Sequence, residues 1–515
     1  MSEKSAIIIG AGVAGLATGV YAQMSGYRTR IFEQHSIPGG VCTAWKRYGR
    51  CGWIHPIASD SYTIDGCIHF LMGCHPDRGF YQRYREVGAL EGNRLIHADD
   101  YLRFFDESTE RSLQITRDLD QLTQDLRTLA PADGDFIKGF TAGIRAMQGF
   151  DLDVIQARSL MRPFPAPKHL WSARHLIGHF ARYRIPLETL GKRVHDPFVG
   201  WAMSNLFVPE APVPFIFAVL AQLTMGELAV VEGGSLNFAL AMARRYETLG
   251  GEITYRADVE EILVKADPAG RGDRAVGVRL SNGSTHYADT VISAADGYST
   301  VFKLLGGRYA SRKIRARYER WPLFAPLLLV SFGVAREFRE VPPTSVVLLE
   351  HPLNIAGRTE QRLVFRVFNH DPTLAPPGKT VVQAYIQTDY DWWEALQKDR
   401  ACYQEEKARV AADVLDRLEY HLPGISAGVE VTDVATPHTF HRYTRNYRGA
   451  FEGWLVTPET IRVTLEHTLP GLRDFYMIGQ WTEPGGGIPV VIDAARRFVQ
   501  MLCRRTENRA RRGLS

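Results

Sequence analysis

Residues 6–17 read Ala6-Ile7-Ile8-Ile9-Gly10-Ala11-Gly12-Val13-Ala14-Gly15-Leu16-Ala17: an apolar strand, a tight turn and the first turn of a helix. The glycines fall in the spacing Gly-x-Gly-x-x-Gly. Gly10 permits the turn, Gly12 lets a pyrophosphate approach the backbone, and Gly15 lets helix and strand pack closely. Val13 and Ala14 open the helix, whose free N–H groups and partial positive charge favour phosphate. The helix is expected to run to about Ser25, with Gly26 closing it. A second strand, Tyr27 to Glu33, ends in an acid 23 residues beyond Gly10. That is where a carboxylate must sit to bind a ribose hydroxyl. The stretch predicts a dinucleotide site.

The residues after Glu33 bear on which dinucleotide. Beyond Gln34 comes His35-Ser36-Ile37-Pro38-Gly39-Gly40-Val41-Cys42. A glycine pair so soon after the ribose acid means that the backbone again passes close to something. A nicotinamide domain would go straight into another helix. A returning Gly39-Gly40-Val41 turn instead follows the diphosphate and ribityl part of a flavin cofactor, which favours FAD.

At 515 residues the chain is too long for one compact core, and two domains are expected. A hydrophobic content of 45% and a charged content of 23% are those of an ordinary globular protein. The net charge of +4 argues against a nucleic-acid partner. The first apolar run is the strand of the glycine motif rather than a leader. The longest apolar runs, Val213 to Leu223 and Leu323 to Ala335, fall well short of a membrane span. Six cysteines at 42, 51, 67, 74, 402 and 503 match neither a disulfide framework nor a zinc pattern, so no metal site is expected. These features predict a cytoplasmic protein with reduced thiols.

Between Arg158 and Arg193 basic residues outnumber acids heavily and alternate with Phe164, Trp171, Phe180 and Tyr183. Two readings stand side by side: a peripheral contact with the cytoplasmic membrane face, or a solvated helical face over buried aromatics. Pro163, Pro165 and Pro167 prevent one continuous helix. Phe207 to Leu223 would suit the wall of a lipophilic pocket. Residues 78 to 145 show short apolar runs and charged helices with no evident chemistry.

Dinucleotide-domain grammar then returns. Val230 to Ser235 leads into a helix from Leu236 to Leu249, followed by strands at Glu252–Arg256, Val259–Lys265 and Ala275–Leu280. Asn282-Gly283 predicts a two-residue hairpin, and Asp289 to Ala294 one more buried strand. From 301 to about 440, strands at Leu327–Phe332, Leu363–Phe368 and Thr380–Ile386 and a helix at Ala401–Leu422 suggest a mixed sheet. Asp391-Trp392-Trp393 reads as aromatic core in preference to a stacking site. Near the end, the strand Asp474 to Gly479 is followed by Gln480-Trp481-Thr482-Glu483-Pro484-Gly485-Gly486-Gly487-Ile488-Pro489 and a helix. Three glycines opening a helix place bare backbone, and the helix dipole, against a ligand.

With these pieces assembled, the chain resembles the FAD-dependent amine oxidase-like superfamily, and within it the phytoene desaturase, carotenoid isomerase and retinol saturase group. Gly10 to Gly15, Glu33 and Gly39-Gly40 are similar to the family's first FAD motif. Ala257-Asp258-Val259 resembles the segment whose valine contacts the adenine, and Tyr476 to Pro489 resembles the closing motif at the flavin. Asp65-Gly66-Cys67-Ile68-His69 resembles a segment that lies near the ring. Two departures stand out: Gln480 replaces the usual acid after Gly479, and Cys67 replaces a glycine. Gln480 still accepts a hydroxyl hydrogen bond.

The resemblance implies an α/β fold: a discontinuous Rossmann-like FAD domain of the glutathione reductase type, with a mixed-sheet and helical substrate domain. The expected division gives 1–77, 228–300 and 441–515 to FAD, and 78–227 with 301–440 to the substrate. Non-covalent FAD and a lipophilic substrate (a carotenoid, another isoprenoid or a fatty-acyl lipid) are implied. The implied reaction desaturates, saturates or isomerises C–C bonds with hydride transfer at flavin N5. His69 and Glu483 are the candidate catalytic groups. A flavin amine oxidase with a soluble substrate and a non-catalytic flavin-bound lipid carrier remain alternatives.

Overall fold

The computed structural model describes residues 4–49, 61–67, 69–148, 182–270, 272–463 and 465–511. Most of the basic-aromatic segment 158–193 therefore lies outside the described residues, as does Cys51. In the described part of that segment Tyr183 packs inward, meeting the Phe217 ring edge-on at 5.0 Å, while Arg182, Arg184, Lys192 and Arg193 are exposed.

The glycine motif sits at the centre of a five-stranded sheet. Lys4–Ile9 lies between Thr290–Ser293 and Tyr27–Phe32, with Phe475–Met477 and Glu252–Thr254 at the edges. Every pairing is parallel. Burial on both faces explains why these strands read as unbroken apolar runs. The helix Val13–Met24 packs with Ser235–Thr248 and Ile488–Arg511 on one face. Strands separated by hundreds of residues in sequence meet here, so this sheet is assembled from three stretches of chain.

The second sheet has seven strands, in the order Val429–Ala435, Leu327–Val334, Thr380–Gln387, Arg358–Val367, Thr344–Ile355, Asp100–Asp106 and Ser112–Thr116. All neighbours are antiparallel except Thr344–Ile355 beside Asp100–Asp106. Its two faces follow the period of two. Leu328, Val330, Leu363, Phe365, Val382 and Ala384 face the helix Arg400–His421. Leu329, Val364 and Tyr385, on the other face, look into a cavity. A third core, built on helices Leu119–Leu129, Gly134–Met147, Pro197–Ser204 and Val213–Thr224, closes the far side.

Two local readings need correction. Residues 78–145 do carry strands, because Asp100–Asp106 and Ser112–Thr116 extend the large sheet. The Asn282-Gly283 hairpin is a three-residue loop, since Leu280 N–H bonds Ser284 O at 2.9 Å with Gly283 at φ +84°. Trp393 is wholly buried, its Nε1 donating to Thr388 Oγ1 at 2.8 Å, so it is core, with half-buried Trp392 packed against it. Among the described residues no helix is long and apolar enough to cross a membrane.

Candidate active site

One cavity of about 870 Å³ runs from the first glycine turn to the far side of the seven-stranded sheet. Gly10, Gly12, Val13, Ala14, Glu33, Gln34, Gly39, Gly40, Val41, Val259, Gly479, Gln480, Gly487 and Ile488 all line it. The other two predicted positions support the wall from behind. Ala11 is fully buried, and Gly15 lets the helix lie against the Gly10 carbonyl.

At the nucleotide end, the Glu33 carboxylate is fixed by two backbone donors. Ala11 N–H donates to Oε2 and His35 N–H to Oε1, each at 2.7 Å. Burial raises the Glu33 pKa, and these donors pull it back. Gly39 N–H donates to Ala11 O at 2.8 Å, so the glycine pair is stitched to the first turn.

The residues present fit an FAD. A Cβ on Gly12 would find nothing nearer than Gly39 O at 3.9 Å. Protein packing therefore does not require that glycine, and the space before it is cavity. The first intrahelical bond is Leu16 N–H to Gly12 O at 2.9 Å, so the Val13, Ala14 and Gly15 N–H groups precede it. In the closing helix, Val491 N–H bonds Gly487 O at 3.1 Å, with Ile488 and Val490 ahead of it. The helix Ser235–Thr248 contrasts with both: its N-terminus meets the protein's own anion, Asp65 Oδ1 accepting from Ser235 N–H at 3.0 Å. The Val13 end, and the Ile488 and Val490 N–H groups of the closing helix, are thus open to an anionic ligand, whereas the Ser235 end is not.

The middle of the cavity is polar. His69 presents its ring to the cavity, edge-on to Tyr385 at 5.1 Å. Its accessible surface is cavity wall, so burial, with Arg366 beside it, still lowers the imidazole to about 3. His69 is neutral at ordinary pH. Arg366 hydrogen-bonds the Tyr385 hydroxyl, which in turn donates to Gln383 Oε1 at 2.7 Å. Cys67 lies beside Cys42, whose hydrogen bond, together with burial, keeps it a thiol rather than a thiolate.

Glu483 lies off the cavity wall. It faces Arg497 at 3.8 Å, but that guanidinium is held more closely by Asp493 at 2.8 Å. Burial consequently wins over the pairing and pushes Glu483 up to about 7. A carboxyl beside the same glycine turn that does face the cavity is Glu452, which the sequence reading missed. It sits against the three-glycine turn and is held by Gly487 N–H, while burial raises it to about 7. The only sequence signal was an acid between Phe451 and Gly453 in an otherwise apolar, glycine-rich run.

Beyond this cluster the walls become apolar: Phe207 and Phe215, ring centroids 5.3 Å apart, with Leu329, Val346, Phe324 and Val456. Phe207 and Phe215 belong to the stretch expected to wall a lipophilic pocket.

Comparison with known proteins agrees with this architecture. The chain is 24% identical over 519 residues to the chloroplastic prolycopene isomerase of Arabidopsis thaliana, covering 95% of this chain and 81% of that protein. It is 24% identical over 541 residues to the lycopene-forming phytoene desaturase of Paracoccus sp., with 97% of each covered. A solved oxidoreductase from Methanosarcina mazei shares the fold with a TM-score of 0.57 at 17% identity, over 96% of this chain and all of that one. The flavin containing amine oxidoreductase family matches residues 13–502. The chain is an FAD-dependent oxidoreductase that belongs to this family.

Proposed function

We propose that the protein acts on the C–C bonds of a lipophilic chain, by desaturation, saturation or isomerisation. The observation that carries this is the continuity of the cavity, from a glycine-walled nucleotide end to a lobe walled by Phe207, Phe215, Leu329 and Val346. Such a lobe offers a long apolar molecule burial along its length. The prolycopene isomerase and phytoene desaturase names of the relatives point the same way.

FAD, when bound, supplies the hydride acceptor or donor; the chain supplies position and proton handling. Gly12, Gly39-Gly40 and the helix end at Val13 would hold the diphosphate, the helix end at Gly487-Ile488 would face the flavin ring, and Glu33 would take ribose hydroxyls. Gln480 would accept a hydrogen bond from the ribityl chain. The apolar lobe excludes water and aligns the chain, which is where most of the acceleration arises. Glu452, close to neutrality in its titration, takes up or returns the proton of the adjacent carbon at its carboxyl oxygen. Neutral His69, edge-on to Tyr385, would form part of the uncharged wall beside the reacting segment.

In this reading residues 1–77, 228–300 and 441–515 carry the cofactor, and 78–227 with 301–440 carry the substrate walls. The composition of 158–193 supports collection of substrate at a membrane surface. Liposome flotation unchanged by deleting that segment would count against it. The function itself is tested by anaerobic mixing of the yellow protein with candidate lipids. Bleaching of the oxidised flavin by a saturated lipid, reoxidation of the reduced flavin by a polyene, or a change of double-bond geometry on the reduced protein supports the proposal; no change in flavin or lipid, in either redox state, refutes it.

A further inference from the structure

The strand Arg358–Val367 turns Arg362, Val364 and Arg366 toward the cavity. Two guanidinium groups thus line this cavity, Arg366 in its polar middle and Arg362 further along, where Phe207, Phe215, Phe324 and Val346 make much of the wall. Arg366 belongs to a balanced cluster, bonded to Tyr385 and close to the buried Asp65 carboxylate. Arg362 has no such balance. Its Nη1 donates to Asn205 Oδ1 at 2.7 Å, a neutral acceptor that also lines the cavity. Among the described residues no carboxylate comes within 4.0 Å of it. Glu360, two residues earlier, is 3.7 Å from Arg358 instead, and Glu210 is exposed. Both influence Arg362 only at longer range, and burial is the larger effect, lowering its pKa from the ordinary value. Guanidinium stays charged even so. Desolvating it beside one neutral amide is costly, and an anion entering the cavity would offset that cost.

We propose that Arg362, oriented by Asn205, binds the carboxylate head of a long apolar substrate. This rests on the reading of the lobe as a lipid site and narrows it from a neutral polyene to a carboxylated polyene or a fatty acid. Four residues of strand separate Arg362 from Arg366, roughly 13 Å. The head is therefore anchored well away from the Tyr385–Arg366 cluster, and the carbons that reach that cluster lie within the chain rather than beside the carboxylate. A neutral hydrocarbon gains nothing from Arg362.

The test titrates the FAD-loaded protein with cis-parinaric acid, a conjugated polyene fatty acid that fluoresces in apolar surroundings, and with its methyl ester. The acid should bind at least about tenfold more tightly, as a charge-assisted pair requires. Arg362→Met should abolish that preference by weakening the acid alone, with ester affinity within about twofold of the original. Arg362→Lys should retain part of it, keeping the charge but not the planar fork. Equal affinity for acid and ester in the unaltered protein overturns the anionic head and leaves the lipid reading standing. Persistence of the preference in Arg362→Met also overturns the assignment. Failure of both probes to bind overturns the lipid reading with it.

Discussion

Gly15 and Gly10 leave no space between helix and strand: a Cβ on Gly15 would fall 2.0 Å from the Gly10 carbonyl oxygen. Gly12, two residues away from Gly10, is under no such constraint, with φ −67° and only Gly39 O at 3.9 Å from its ideal Cβ. The two glycines of one motif therefore serve different masters, one the fold and the other the ligand. Gly15→Ala should lower both thermal stability and flavin content, because the helix must move off the sheet. Gly12→Ala should leave the melting temperature of the apoprotein within a few degrees of the original while weakening FAD about tenfold or more. Flavin absorbance per protein and thermal unfolding of the apo forms separate the two. Equal loss of apoprotein stability in both variants would contradict the assignment.

The difference also explains how much of the site was legible. Gly10 to Gly15, Gly39-Gly40, Glu33 and Gly485 to Gly487 answer backbone requirements, which are local and leave a fixed spacing in the chain. Arg362, Arg366 and Tyr385 answer a requirement set by a cavity that exists only after two sheets meet. In Arg362-Leu363-Val364-Phe365-Arg366 the alternation is visible, but a polar face on a strand ordinarily means solvent. Here it means the inside of the protein. Glu452 is hidden for the same reason, since its partner is a glycine turn more than thirty residues further on. Glu483, adjacent to that turn in sequence, points the other way, toward Arg497. The fold was more legible than the site because buried strands announce themselves by composition, while a residue's direction within a loop does not.

Trp393 offers a direct check on the core of the second sheet. It is fully buried, bonded to Thr388 and edge-on to Trp392 at 4.9 Å. Trp393→Ala should cost about 3–5 kcal/mol of stability by removing the indole and leaving a cavity. It lies outside the cofactor cavity, so flavin content per folded protein should be unchanged. Denaturant unfolding with flavin quantitation reads both, and a loss of flavin at full stability would return Trp393 to a ligand role.

Val364 stands between Arg362 and Arg366 on the cavity face of their strand. Val364→Trp places an indole in the path from the apolar lobe to the polar cluster. Substrate-driven flavin reduction should fall by about tenfold or more, while FAD binding, which uses the other end of the cavity, stays the same. Stopped-flow reduction by substrate, against reduction by dithionite as the control, makes the comparison. An unchanged substrate rate would place the chain along another wall.

Two carboxyls share a titration near neutrality for the same reason, burial, yet only one faces the cavity. Glu452 and Glu483 are both raised from 4.5 to about 7. In the folded chain each holds its proton to higher pH than in the unfolded chain. The unfolded state thus ionises first, and each residue makes stability fall as pH rises from about 4.5 to about 7, by at most about 3 kcal/mol. Glutamine stays neutral throughout this range. Glu483→Gln should therefore raise the melting temperature at pH 8 and leave it nearly unchanged near pH 4, where the wild-type carboxyl is itself neutral. The flavin should not register that change, because Glu483 lies off the cavity wall. Glu452→Gln should show the same stability pattern and, in addition, remove an inflection near pH 7 from both the flavin absorption spectrum and the rate of substrate-driven reduction. Spectral titration of the two single variants distinguishes them. If the inflection survives Glu452→Gln and disappears with Glu483→Gln, the proton-handling role passes from the residue at the glycine turn to the one beside Arg497.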